Sequence, residues 1–217
     1  MKKLFFALSL SIGLGANAQT KTLIGSGSGD GLDSYGFVLS GGMQNSQLYG
    51  ESVWFSQFKA GVILNESWTI GASYGESVEY IRPTSLESLY GKAVEVDFMQ
   101  YSGFLEYRIK PSSLVHLSFP LHLGVFETDV DDYDPFDNDS DNDWMDLERE
   151  DYQFFVEPGV TVELNLHKYA RVYAGASYRL PLASTYSEGI TPDPENHLLI
   201  NFGVKVGIFN LKELIQK

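Results

Sequence analysis

Eight segments of this chain alternate apolar and polar residues with a period of two, and a chain patterned this way along most of its length is a sheet protein. They are roughly Tyr35–Met43, Val53–Leu64, Trp68–Gly75, Asp97–Ile109, Leu114–Phe126, Phe154–Leu166, Arg171–Leu180 and Leu198–Ile208. Successive side chains of a strand point to opposite faces, so each segment carries one greasy face and one polar face. In the last, Leu198, Ile200, Phe202, Val204, Val206 and Ile208 oppose Leu199, Asn201, Gly203, Lys205 and Gly207. In the fifth, Val115, Leu117, Phe119, Leu121, Leu123 and Val125 oppose His116, Ser118, Pro120, His122 and Gly124. No segment sustains a helical period. The expected fold class is all-β, an eight-stranded antiparallel up-and-down barrel.

Periodicity alone does not say which face is inside. A soluble calyx turns its greasy face inward, whereas a membrane barrel turns it to lipid. Three features favour lipid. Glycines gather on the polar face, at Gly61, Gly71, Gly75, Gly159, Gly175, Gly203 and Gly207, where a narrow bore needs room for long side chains. The same face holds both charge signs at strand centres: Lys59, Glu106, Arg108, Glu157, Glu163, Arg171, Arg179 and Lys205 are expected to pair as an interior ionic network. Aromatics of the greasy face (Trp54, Trp68, Tyr74, Tyr107, Tyr178) sit near strand ends, as an interfacial girdle requires. Most segments also have the roughly 9–11 residues that a tilted strand needs to cross a bilayer.

The connections sort by parity. Those near Asn65–Ser67, Lys110–Ser113 and His167–Tyr169 are short. The alternate ones, Gln44–Ser52, Glu76–Val96, Glu127–Tyr152 and Pro181–His197, are longer. Short periplasmic turns and long outer loops are the habit of outer-membrane barrels. The alternative is a soluble periplasmic β-barrel that binds a small apolar ligand in a greasy lumen.

The amino terminus has the form of an export signal. Met1-Lys2-Lys3 is basic, Leu4 to Gly15 is apolar, and Ala16-Asn17-Ala18 is a small-x-small cleavage site. Residues 1–18 are therefore expected to be a cleaved signal peptide, 19–33 a flexible Gly/Ser-rich lead-in, and 34–217 the barrel. With no cysteine the chain offers no lipid anchor at the cleavage point, no disulfide and no thiolate chemistry. A formal net charge of −14 argues against nucleic acid as a partner.

One hairpin resembles a known family. Phe155-Val156-Glu157-Pro158-Gly159-Val160-Thr161-Val162-Glu163-Leu164-Asn165-Leu166, followed by Arg171-Val172-Tyr173-Ala174-Gly175-Ala176-Ser177-Tyr178-Arg179, is similar to the penultimate hairpin of small outer-membrane β-barrel proteins common in Bacteroidetes. Those share the architecture of the OmpA and OmpX transmembrane barrels. The resemblance implies an eight-stranded barrel in the outer membrane of a Gram-negative bacterium. Its expected partners are outer-membrane lipid, lipopolysaccharide and the barrel-insertion machinery, and the protein is expected to be a monomer. Many such barrels end on an aromatic residue; here Phe209 is followed by eight further residues, Asn210 to Lys217.

Nearly all of the net charge lies in one connection. Glu127 to Asp151 holds thirteen acids and one base, Arg149, so this acidic outer loop is a local feature. Within it Asp137, Asp139, Asp141 and Asp143 recur at every second residue and Glu148 follows, the oxygen-ligand offsets of a twelve-residue Ca²⁺ loop. Ca²⁺ is therefore the one candidate cofactor, with loose condensation of divalent cations as the plainer reading. Catalysis is not expected. The histidines are His116, His122, His167 and His197, and no G-x-S-x-G elbow is present. Ser118 and His122 share a face but lie roughly 13 Å apart along a strand, too far for proton transfer, which weakens a lipid-modifying hydrolase. The expected role is structural or surface-interacting, through the long loops.

Overall fold

The computed structural model describes residues 34–91, 93–132, 149–184 and 198–210. The expected signal peptide (1–18), the lead-in (19–33) and the segment after Asn210 lie outside these residues.

Nine strands and one short helix follow one another: β1 (Tyr35–Leu48), β2 (Glu51–Leu64), β3 (Trp68–Ser77), α1 (Thr84–Tyr90), β4 (Val94–Ile109), β5 (Val115–Asp132), β6 (Arg149–His167), β7 (Ala170–Tyr178), β8 (Leu180–Ser184) and β9 (Leu198–Ile208). Strands β1 to β6 each pair antiparallel with the next in sequence, β8 pairs with β6, and β9 pairs with both β7 and β1, which closes the ring. β7 and β8 both lie along β6 on either side of Arg179, so they form one stave. The result is a closed eight-stranded antiparallel barrel. Helix α1 was not foreseen; its seven residues, closed by Gly91 at φ 70°, are too few to display a period.

The apolar faces point outward. Leu121, Val162 and Val204 are exposed, at 45%, 49% and 44%, whereas Arg179 and Lys205 are 5% exposed. Around the wall Trp68 meets Tyr107 at 4.7 Å at the end with short turns. At the other end Tyr74 meets Tyr101 at 5.3 Å and Trp54 meets Phe202 at 6.1 Å. Two aromatic belts thus bracket an aliphatic band.

The strands run further toward the loop end than their apolar pattern extends. β1 continues to Leu48 and β2 starts at Glu51, so the expected connection Gln44–Ser52 contracts to Tyr49-Gly50, with φ of 52° and 80°. Two successive positive φ values give the hairpin turn that matches strand twist. β5 and β6, at 18 and 19 residues, likewise carry their hairpin into the acidic segment. Past the aromatic belt a strand faces water on its outer side, so its apolar alternation lapses although its pairing persists.

The bore is closed by apolar side chains at both ends. At the loop end Phe55, Phe98, Phe126 and Phe155 pack with Val53, Val94, Val96 and Val130, and Leu86 of α1 joins them. At the turn end the plug is Val38, Ile63 and Phe209. Between them, paired Gly42 and Gly203 make room for Tyr173, whose hydroxyl would lie 2.5 Å and 2.7 Å from Cβ atoms added there. Gly203→Val should therefore lower unfolding free energy by about 1–3 kcal/mol, measured by urea titration of the micelle-bound barrel. Gly50→Ala at the exposed tip has nothing to meet within 4 Å and reports only the strain of its φ.

Candidate functional site: the charged bore

Alternation sends every second side chain of each strand into the bore, and eight strands leave just enough space for those side chains to touch. Glu106, Arg108, Glu157, Glu163, Arg171, Arg179 and Lys205 are all buried there, and Lys59 is half-buried. Seven of them meet in two groups, and Lys59 lies beside His122.

The group nearer the turn end centres on Lys205. Its Nζ donates to both Glu106 oxygens, at 2.8 and 2.6 Å, and to Glu163 Oε1 at 2.5 Å. Glu163 also accepts from Ser118 Oγ at 2.8 Å and faces His116 Nε2 at 3.1 Å. Ser118 is in turn bonded to Thr161. Arg108 donates to Thr69 Oγ1 and holds Nε 3.6 Å from Glu106. Arg171 lies beside Glu163, Nη1 to Oε2 at 3.6 Å, with its guanidinium 3.7 Å over the Phe209 ring.

The second group centres on Arg179 and Glu157. Arg179 Nε and Nη2 donate to Glu157 Oε2 at 3.0 and 2.8 Å, and Nη2 also reaches Gln100 Oε1. Ser177 Oγ and Gln44 Nε2 donate to Glu157 Oε1 at 2.7 and 2.9 Å, and Gln100 Nε2 donates to Gln44 at 2.9 Å. The guanidinium lies between the rings of Phe126 and Phe155, with centroids at 4.7 and 4.5 Å. Its inward pose coincides with an irregularity: the β6–β8 register shifts between Phe154 and Phe155, and Pro181 supplies no N–H to the ladder.

Lys59 Nζ lies 3.4 Å from His122 Nε2, which must accept, so Nδ1 carries the proton and donates to Ser102 Oγ at 2.9 Å. Ser102 and Ser73 share a further bond of 2.6 Å. His122 has serines on one nitrogen and an ammonium on the other, and Glu157, opposite it in the β5–β6 ladder, is hydrogen-bonded to Arg179, Ser177 and Gln44. At His116 the carboxylate of Glu163 stands between the serine and the imidazole, the wrong order for relaying a proton from Ser118. His167 is the last residue of β6 and His197 lies outside the described residues. So do Asp137, Asp139, Asp141, Asp143 and Glu148. Among the described residues no three acids or histidines converge on a cation position.

Sequence reasoning picked out the charges and missed their neutral partners. Gln100, Ser177, Thr161 and Thr69 share faces with the interior charges, so parity was a usable signal for them. Gln44 fell in an expected loop and carried no such signal.

No family model matches this chain, and no curated protein matches it in sequence. Solved structures do match. Neisserial surface protein A superposes with a TM-score of 0.55 at 12% identity, over 79% of this chain and 96% of that one. A major outer membrane protein of Thermus thermophilus gives 0.53 at 10% identity, over 80% and 98%. The fold is that of the small outer-membrane barrels. At such identity the likeness speaks for backbone architecture alone, and the bore contacts above belong to this chain.

Removing one member of a buried pair strands the other. Glu163→Leu, which leaves Lys205 and Arg171 short of a carboxylate, should cost about 3–5 kcal/mol of unfolding free energy, and Arg179→Leu a similar amount through Glu157. The double variant Glu157→Leu/Arg179→Leu should cost less than its two single variants together. Urea unfolding followed by tryptophan fluorescence reads each of them; neutral single variants would dissolve the network.

Proposed function

We propose that this chain is an exported outer-membrane protein whose barrel is a closed, non-enzymatic anchor presenting its loop-end hairpins at the cell surface. The observation that carries the reading is the sidedness of the wall: aliphatic side chains face out in a continuous band between two aromatic belts, while the ions are inside. Such a band is stable in acyl chains and costly in water. A soluble barrel with a greasy lumen requires the opposite orientation.

The closed bore supports an anchor over a pore. Side chains fill its middle, and apolar clusters cap both ends. The Lys59 ammonium on His122 Nε2 and the misordered Ser118–Glu163–His116 arrangement support a role without catalysis. The surface role falls to the hairpins that outrun the band, above all β5–β6, which leads into thirteen acids. Divalent cations held loosely there would bridge it to anionic lipopolysaccharide, and Asp137, Asp139, Asp141, Asp143 and Glu148 are the residues for a tighter Ca²⁺ site.

The chain has no cysteine, so single cysteines report topology cleanly. In intact cells a membrane-impermeant maleimide should label Glu51→Cys at the β1–β2 tip and leave Ser112→Cys, at a short turn, unlabelled until the outer membrane is opened. The folded protein should also need detergent for extraction, migrate differently before and after heating, and give no stable conductance in planar bilayers. Labelling of Ser112→Cys alone would invert the orientation, and release without detergent would end the outer-membrane reading. Calorimetric titration of Ca²⁺ into the folded barrel should give heat above that of a variant with residues 131–146 scrambled; equal heats would remove the cation role.

A further inference from the structure

We propose that the chain's own tail, Leu211 to Lys217, docks across the turn-end mouth of the barrel and sets Leu211, Leu214 and Ile215 into the cavity there. Three observations converge on it. The first is the receptacle, a cavity of about 430 Å³ framed by the three short turns and the end of β9. Pro111, Leu166, Tyr169, Ile208 and Phe209 supply its apolar lining, with Glu66 and Lys168 among its polar positions. A concave site of that size and mixed lining takes aliphatic side chains and leaves the polar side of their backbone facing water.

The second is the point at which the tail departs. Asn210 is itself part of the cavity wall, and two contacts fix the chain there. The Phe209 ring is buried with Val38 and Ile63, and the Arg171 guanidinium lies 3.7 Å over it. Asn210 Nδ2 donates to Glu66 Oε1 at 2.5 Å, which ties the end of β9 to the turn between β2 and β3. Leu211 therefore begins at the cavity edge, since consecutive Cα atoms are about 3.8 Å apart. Seven residues follow Asn210, and fully extended they would span about 25 Å, ample to cross the mouth.

The third is the pattern of the tail. Leu211, Leu214 and Ile215 stand at i, i+3 and i+4, with Lys212, Glu213, Gln216 and Lys217 between and after them. That spacing puts the three aliphatic side chains on one face of a helical turn and the charges on the other. So short a helix is marginal in water and forms against a surface that buries its apolar face. The rival occupant is the lead-in before Ser34, which also enters at the turn end, where Asn65 N–H donates to Ser34 O at 2.8 Å. Its apolar pair Leu23-Ile24 ends ten residues before Ser34, across a Gly/Ser-rich stretch, and no residue of β1 lines the cavity. The tail is nearer and better patterned. Docked there, it adds a second apolar layer beneath the plug of Val38, Ile63 and Phe209.

The docking is the same whichever membrane surrounds the barrel, so the inference stands apart from the surface role proposed above. The test uses the full chain folded in detergent micelles, isotope-labelled in its backbone and in its Leu and Ile methyl groups, and followed by NMR. Backbone order parameters of residues 211–215 should be about 0.85, the value of a rigid backbone. The methyl groups of Leu214 and Ile215 should show nuclear Overhauser contacts to the Tyr169 ring. Leu214→Asp/Ile215→Asp should release the tail, bringing those order parameters below about 0.6 and shifting the amide signals of Tyr169 and Ile208. Lys212→Ala/Gln216→Ala, on the polar face, should leave both readouts unchanged. Wild-type order parameters below about 0.6 overturn the proposal, as does an aspartate variant that matches the wild type. Contacts from the Tyr169 ring to Leu23 or Ile24 assign the cavity to the lead-in, and contacts seen only between differently labelled molecules assign it to a second copy; either result also overturns it. Should the aspartate variant fail to fold, the wild-type order parameters and contacts decide by themselves.

Discussion

An amide placed against hydrocarbon has no water to bond, so a sheet with an apolar outer wall must satisfy every backbone group from its neighbours. Here the ladder goes full circle through the β5–β6 and β1–β9 pairings. Much else follows from that closure. Eight strands fix a narrow bore, a narrow bore excludes bulk water, and excluded water leaves each interior ion dependent on another side chain. The glycines at 42 and 203 and the crossing Tyr173 belong to the same constraint, since a large ring spans the lumen only where the facing wall has no Cβ.

The two ionic groups solve that dependence differently. Around Glu157 the pairing is complete: one guanidinium, a serine and a glutamine saturate one carboxylate, and two phenyl rings flank the cation. Around Glu163 it is not, because three cations compete for two carboxylates whose oxygens are already shared. The incomplete group lies next to the turn-end cavity, and the complete one lies under the phenylalanine plug at the loop end. Apolar plugs close both ends, so the asymmetry is one of ionic pairing alone.

Much of the fold was legible because strand parity is local. All eight expected segments became staves, and the faces assigned to Val204 and Lys205, or Leu121 and His122, are those of the structure. Strand ends were less legible. The outer third of β1, from Gln44 to Leu48, has polar side chains on both faces, because one faces water and the other faces Glu157 and its partners. Nothing in such a stretch distinguishes a protruding strand from a loop. The break at Arg179 was hidden for another reason: in sequence it is one more inward residue, and only the β6–β8 register shift reveals the bulge.

The sequence by itself determined which side chains share a face, since that depends only on the two-residue repeat of an extended backbone. It also determined that one face would be greasy and the other charged. Tertiary structure decided which ions meet. Lys205 and Glu106 are 99 residues apart, and Arg179 and Gln100 are 79 apart. Their encounters depend on strand tilt and register around the whole ring, and no local stretch of chain encodes either. The same closure left Nε and Nη1 of Arg171 without a hydrogen-bond partner, a property of how three side chains divide two carboxylates rather than of any motif.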